Sequence, residues 1–132
     1  MSLAFGKDRR IRRRSDFVRV QDGGLRAQSA HFVFLVAPRA PDRDCPEPRN
    51  ACARLGIVTT RKVGNAVCRN RIKRLVRECF RLWPDFVPDG VDLVVIARAG
   101  AHELTLAEVR SEWQRTRRKL LERCTAALEA VS

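Results

Sequence analysis

Ala53-Arg54-Leu55-Gly56-Ile57-Val58-Thr59-Thr60 leads into Arg61-Lys62-Val63-Gly64-Asn65-Ala66-Val67, and this into Cys68-Arg69-Asn70-Arg71-Ile72-Lys73-Arg74-Leu75-Val76-Arg77-Glu78-Cys79-Phe80-Arg81-Leu82-Trp83. The first segment, rich in β-branched and aliphatic residues, predicts a strand over 53–60. Gly64 and Asn65 mark a turn within 61–67. From about 67 to 82 the apolar residues recur at helical spacing, and Pro84 and Pro88 close the helix. Val91-Asp92-Leu93-Val94-Val95-Ile96-Ala97-Arg98 is a near-continuous apolar run that reads as a buried strand, broken at Gly100. Strand, helix and strand over 53–98 imply a parallel pair bridged by the helix.

Upstream, His31-Phe32-Val33-Phe34-Leu35-Val36-Ala37 reads as a strand with two apolar faces, Phe32/Phe34/Val36 and Val33/Leu35. Such a strand is covered on both sides. Residues 25–30 form a weaker candidate strand. Ser15 to Asp22 shows a two-turn helix pattern with Ser15 as the expected N-cap and Gly23-Gly24 as the stop. A helix that short must dock on something to persist. Downstream, Thr105-Leu106-Ala107-Glu108 is a capping box opening a final helix to about residue 128. Its expected apolar stripe is Leu106, Val109, Trp113, Leu120, Cys124 and Leu128. The order is helix, two or three strands, helix, strand, helix: an α+β chain with sheet and helices around one core. Residues 1–14 are a basic N-terminal arm carrying Arg9, Arg10, Arg12, Arg13 and Arg14. Residues 15–132 form one domain, with a Pro-rich loop over 38–50.

The 132 residues suffice for one domain and no more. No run of 18 apolar residues exists, so no membrane span is expected, and the Arg-rich N-terminus lacks the apolar stretch of a signal peptide. The expected compartment is the cytoplasm. The five cysteines are odd in number and form no C-x-x-C pair, and His31 and His102 stand alone. Reduced thiols are expected, and a protein-bound metal site is left unknown. Charge is the strongest compositional signal. There are 27 Lys and Arg against 15 Asp and Glu, a net charge of +12 and a pI near 11.1. All the cations but Lys7, Lys62, Lys73 and Lys119 are Arg, whose planar fork suits phosphate. The balance points to nucleic acid.

Drawn as a wheel, the 67–82 helix puts Cys68, Ile72, Leu75, Cys79, Leu82 and Trp83 on one side, with Val76 and Phe80 at its edge. Asn70, Arg74, Arg77 and Arg81 fall on the other, with Lys73 at its edge and Arg69 and Arg71 at the boundary. Lys73, Arg77 and Arg81 follow at i,i+4 spacing, and the wheel places no offsetting acid on that face. Like charges so spaced repel by a few tenths of a kcal/mol, so a one-sign stripe calls for a polyanion. Asn70 adds a neutral group able to meet a base edge or a 2′-hydroxyl. The helix N-terminus after Gly64-Asn65, with Arg61, Lys62 and Arg69 beside it, offers N–H groups to phosphate.

The stretch from Arg61 to Glu78, with its Lys-x-Gly-Asn-Ala-Val turn and Arg-Asn-Arg helix, closely resembles the signature of the bacterial ribonuclease P protein subunit. The resemblance extends over roughly 9–124 and includes Asp16-Phe17, Phe32-Val33, Ile96-Ala97-Arg98 and Leu104-Thr105. It implies a single-domain α/β sandwich with a four-stranded mixed sheet and three helices, in the order α-β-β-β-α-β-α. It also implies a left-handed strand–helix–strand crossover, against the usual right-handed rule. The implied function is the protein subunit of a ribonucleoprotein that removes the 5′ leader of precursor tRNA by hydrolysing one phosphodiester. In that enzyme the RNA does the chemistry with Mg²⁺ held mainly by the RNA.

By position, the resemblance gives Lys62, Asn65, Arg69, Asn70, Arg71, Lys73 and Arg74 to the catalytic RNA, and the cationic stripe adds Arg61 and Arg77. It gives Phe17, Val33 and Leu35 to the leader, and Arg13, Arg14 and Arg98 are grouped with them. Phe32 and Phe34 are left to the core. Gln21 stands where relatives often carry an aromatic, and Leu35 where they often carry Tyr. No catalytic residue is expected in the chain: no nucleophile–base set is apparent, nor do carboxylates pair near the basic helix. Expected partners are RNase P RNA and precursor tRNA, with no membrane and no obligate protein partner. The rival reading is a structural, ribosomal-type RNA-binding protein without a role in cleavage. A DNA-binding regulator is disfavoured because a strand, not a helix–turn, precedes the basic helix. A stand-alone nuclease is disfavoured by the lack of clustered carboxylates.

Overall fold

The computed structural model describes residues 9–41, 45–48 and 51–130. Its elements are α1 (Arg14–Gly23), β1 (Leu25–Gln28), β2 (Phe32–Pro38), β3 (Arg54–Val58), α2 (Ala66–Arg81), β4 (Val91–Ala97) and α3 (Leu106–Glu129). The expected order is therefore met, with residues 25–28 supplying the fourth strand. The sheet runs β1-β2-β4-β3. β1–β2 and β2–β4 pair antiparallel and β3–β4 parallel, so the sheet is mixed.

Strand alternation divides the sheet into two covered faces. On one, Ala27, Phe34 and Val95 align across the strands, as do Val36, Leu93 and Leu55 in the next row. These pack against Ile72, Val76, Cys79 and Phe80 of α2 and Val109, Trp113, Leu120 and Cys124 of α3. Trp113 is the hub. Phe34 meets it edge-on at 5.5 Å, Phe32 at 6.1 Å, and Phe86 stacks on it at 4.8 Å. Such pairs add about 0.5–1.5 kcal/mol each beyond area burial. On the other face Val33, Leu35, Ala37 and Val94 pack with Ile11 and Val20, flanked by Phe17, Val58 and Ile96.

The capping box of α3 is formed as expected, Thr105 and Glu108 bonding reciprocally. Elsewhere the structure differs from the sequence reading. Ser15 lies inside α1; the N-cap is Arg13, which makes no side-chain cap bond. On α2, Val76 and Phe80 sit fully in the buried face, not at its edge, while Leu82 is exposed. α2 turns its deepest stripe toward the sheet, and Leu82 falls past the last helical residue. Arg9–Ile11 of the basic arm are packed: Arg10 bridges Leu55, the Ile11 N–H donates to the Leu55 carbonyl at 3.0 Å, and the Arg9 guanidinium lies over Phe80. Residues 1–8 and parts of the Pro-rich loop lie outside the described residues.

Two buried acids hold the frame. Asp92, fully buried on β4, takes a two-pronged bond from Arg54 of β3 at 2.8 and 2.7 Å. It also accepts from Arg19 of α1, which donates to the Pro38 carbonyl as well. Asp16 of α1 stands 3.6 Å from Arg54 and 3.5 Å from Arg19. Four charges thus tie α1 to the sheet. Glu112 of α3 accepts from the backbone N–H of His31 and pairs with its ring at 3.0 Å, so His31 is not isolated. Burial alone would push the Glu112 carboxyl up; hydrogen bonds from Ser29 and His31 outweigh it and hold the group below its usual range.

Candidate nucleic-acid interface

The face beneath α1 is laid out in rows by the strand register. The first row is Gln28, Val33, Ile96 and Val58; the second is Arg26, Leu35, Val94 and Gly56; the third is Ala37, Asp92 and Arg54. The ion network of α1 covers the third row. Phe17 covers the β3 end of the second. There Gly56 is needed for space, because a Cβ on it would lie 2.5 Å from the Phe17 ring. The first row borders the open side, with Val58 and Ile96 partly exposed and Gln28 exposed. Across four strands it measures about 14 Å. At the β1 end, Arg26 and Arg98 both donate to the Gln28 Oε1 at 2.9 Å, so two cations converge on one acceptor.

At the β3 end a concavity of about 120 Å³ is lined by Arg10, Phe17, Gly56, Lys73 and Arg77, among others. It joins the groove to the cationic face of α2. Lys73 and Arg77 were expected on that face, and both line this concavity. Arg61, Lys62, Asn70 and Arg74 are exposed, and Arg69 is half-exposed.

Three assignments take a more particular form than the sequence suggested. Asn65 is the N-cap of α2, its Oδ1 accepting from the Cys68 N–H at 3.0 Å, so one of the N–H groups expected for phosphate is already taken. Arg71 donates to the carbonyls of His102 (2.8 Å) and Leu104 (3.2 Å) and so ties α2 to the turn before α3. Arg81 is offset after all: it forms an ion pair with Glu78, which holds that carboxyl low and leaves the stripe centred on Asn70, Lys73, Arg74 and Arg77.

The turn that sets α2 depends on Gly64, whose φ of 133° lies in a region only glycine adopts readily. A Cβ there would stand 2.8 Å from Cys68 Cβ. Gly64→Ala is expected to cost about 1–3 kcal/mol, read from urea melts, and to weaken RNA binding by displacing the start of α2.

Of the residues expected to meet the leader, Phe17, Val33 and Leu35 lie on this one face, though Val33 and Leu35 are each only 8% exposed. The reachable apolar surface is instead Ile96, Val58 and the Phe17 edge. Arg13 and Arg14 are exposed at the start of α1. The sequence reading missed Arg26, Gln28, Gly56 and Ile96; only the register, which pairs Gln28 with Val33 and Val33 with Ile96, brings them together.

Among the described residues no three His, Cys, Asp or Glu side chains converge as a metal site requires. No helix among the described residues is long and apolar enough to cross a membrane.

The family model described as Ribonuclease P matches residues 5–121. The ribonuclease P protein component of Desulfovibrio desulfuricans is 44% identical over 97 residues, 74% of this chain and 69% of that protein. That of Syntrophus aciditrophicus is 39% identical over 107 residues, 81% of this chain and 82% of that protein. Among solved structures, the Staphylococcus aureus RNase P protein superposes with a TM-score of 0.69 at 29% identity, covering 89% of this chain and 99% of that one. The Thermotoga maritima RNase P protein, solved with 1-(4-fluorophenyl)-2-thiourea, gives 0.67 at 36% identity, covering 86% of this chain and 98% of that one.

Proposed function

The chain belongs to the ribonuclease P protein family and is a subunit of that RNA–protein enzyme of tRNA processing, and from this premise we propose how its two surfaces divide the work. The α2 stripe, with the 61–65 turn, binds RNase P RNA. The groove beneath α1 holds the single-stranded 5′ leader of precursor tRNA. The observation that carries this reading is the concavity where Phe17 and Gly56 of the groove meet Lys73 and Arg77 of the stripe. One strand of nucleic acid leaving the groove passes directly onto the surface that binds the RNA subunit.

The chemistry is that of the residue types. Exposed guanidinium and ammonium groups neutralise phosphates and displace counterions. The Phe17 edge, Ile96 and Val58 give bases an apolar floor, and Arg26 and Arg98 take the backbone at the far end. We assign phosphodiester hydrolysis to the RNA, with the Mg²⁺ of the holoenzyme held mainly there. The protein raises the local concentration and alignment of the leader. It works in the cytoplasm and needs no second protein.

The test is cleavage of precursor tRNA at low Mg²⁺ with RNA alone, protein alone and both. Cleavage at the leader junction by the mixture only is the expected result. Cleavage by protein alone would overturn the division of labour. A mixture no better than RNA alone would favour a structural RNA-binding role. In a titration of RNase P RNA binding against KCl, Lys73→Ala/Arg77→Ala should lower the salt slope of affinity by about 1.4–1.8, at 0.7–0.9 per lost phosphate contact.

A further inference from the structure

Part of the basic surface lies outside the stripe and the groove. Trp83, just past the end of α2, is half-buried against Phe86, and the guanidinium carbons of Arg110 and Arg117 each stand 5.4 Å from its ring centre. Arg117 is fixed further by donating to the carbonyls of Asp85 (2.8 Å) and Phe86 (3.3 Å). Beside this pair opens a shallow concavity of about 500 Å³, lined by Trp83, Gln114, Arg117, Arg118 and Glu122, among others. Its charged lining is two guanidiniums against one carboxylate.

The location gives the surface a partner. A second concavity of about 280 Å³, lined by Arg71, Arg74, Leu75, Glu78 and Leu106, runs along the seam between α2 and α3. Arg110 stands one helical turn beyond Leu106. Arg71 and Arg74 at one end of the seam and Arg110 over Trp83 at the other thus place cations on either side of Glu78, between the α2 stripe and the indole. A flat indole flanked by arginines, an amide at Gln114 and net positive charge suit a base and its phosphates. An acidic polypeptide would satisfy the charge but brings no run of bases to stack on the indole.

We propose that Trp83, Arg110, Gln114 and Arg118 form a second contact surface for RNase P RNA, reached from the α2 stripe along the α2–α3 seam. The proposal rests on the subunit assignment and extends it: the protein holds two separate segments of its RNA, and α3 takes part in binding as well as packing.

The test is binding of full-length protein to RNase P RNA as a function of KCl, for the wild type and for Arg110→Ala/Arg118→Ala. Circular dichroism and a urea melt check that the variant is folded. The expected result is a salt slope lower by about 1.4–1.8, with an unchanged affinity ratio between precursors with and without a leader. Gln114→Ala should weaken RNA binding without altering the slope. An unchanged slope and affinity in the folded double variant would overturn the inference, whether or not that variant loses binding to polyglutamate. A drop in the leader ratio equal to the drop in RNA affinity would overturn it too, by placing these residues at the leader. Failure of the wild type to bind RNase P RNA would instead overturn the subunit assignment.

Discussion

Asp92→Ala is expected to destabilise the protein by about 3–5 kcal/mol, a large part of the stability of a domain this size. Asp92 is fully buried and accepts from Arg54 and Arg19. Removing it takes the two-pronged carboxylate from the buried Arg54 guanidinium, which still has Asp16 at 3.6 Å, and leaves Arg19 held to the sheet through the Pro38 carbonyl without its buried counter-charge. The loss is the cost of stranding a charge, not the net worth of the pair. Replacing both partners, as in Arg54→Met/Asp92→Leu, should therefore recover much of it. Urea denaturation of the single and double variants decides the matter. A single-variant loss below about 1 kcal/mol would mean that water reaches Arg54 and that the network does not hold α1. With α1 loosened, the affinity advantage of leader-bearing precursor over mature tRNA should also fall in Asp92→Ala, and should stay low in the double variant, which restores packing but not the bond to Arg19.

The second large effect concerns Phe17. Its ring rests on the bare backbone of Gly56 with one edge in the concavity shared with Lys73 and Arg77. A base stacked on an aromatic is worth about 1–3 kcal/mol, or roughly 5- to 150-fold in affinity. Phe17→Ala should reduce binding of leader-bearing precursor to the holoenzyme by that factor, with affinity for RNase P RNA alone unchanged. Phe17→Leu keeps apolar packing against the Ile11 cluster but removes the ring face, so it should lose most of the leader effect with little loss of stability. Gly56→Ala tests the same contact from beneath, since its methyl group must displace the ring. Equal losses for precursors with and without a leader would show that Phe17 only packs.

Much of this architecture was legible in the chain because its signals are local. The alternation of Phe32-Val33-Phe34-Leu35 assigned each residue to its face, and the Thr105–Glu108 box marked the start of α3. The 61–78 stretch carried the family signature in one piece. What was not legible depends on pairing across the chain. Arg19 and Asp92 meet across 73 positions, and Arg71 reaches carbonyls 31 and 33 positions away. The place of Asp92 in an apolar strand gave no sign of two arginines, and Gln28 is an unremarkable polar residue until the register sets it beside Val33. The wheel of α2 ranked residues by type and so missed that Glu78 turns back on Arg81.

The short bridge of Arg10 and Ile11 to Leu55 has a consequence for the protein before it meets its RNA. β3 and β1 are the two margins of the sheet, where unpaired backbone invites another chain to add itself. Ile11 occupies the Leu55 carbonyl on one margin. On the other, β1 is only four residues long, and Arg123 of α3 reaches the Arg26 carbonyl at 3.1 Å. The chain thus occupies a backbone acceptor on each margin with its own N-terminal segment and a long arginine, which leaves less of either edge open to a second copy.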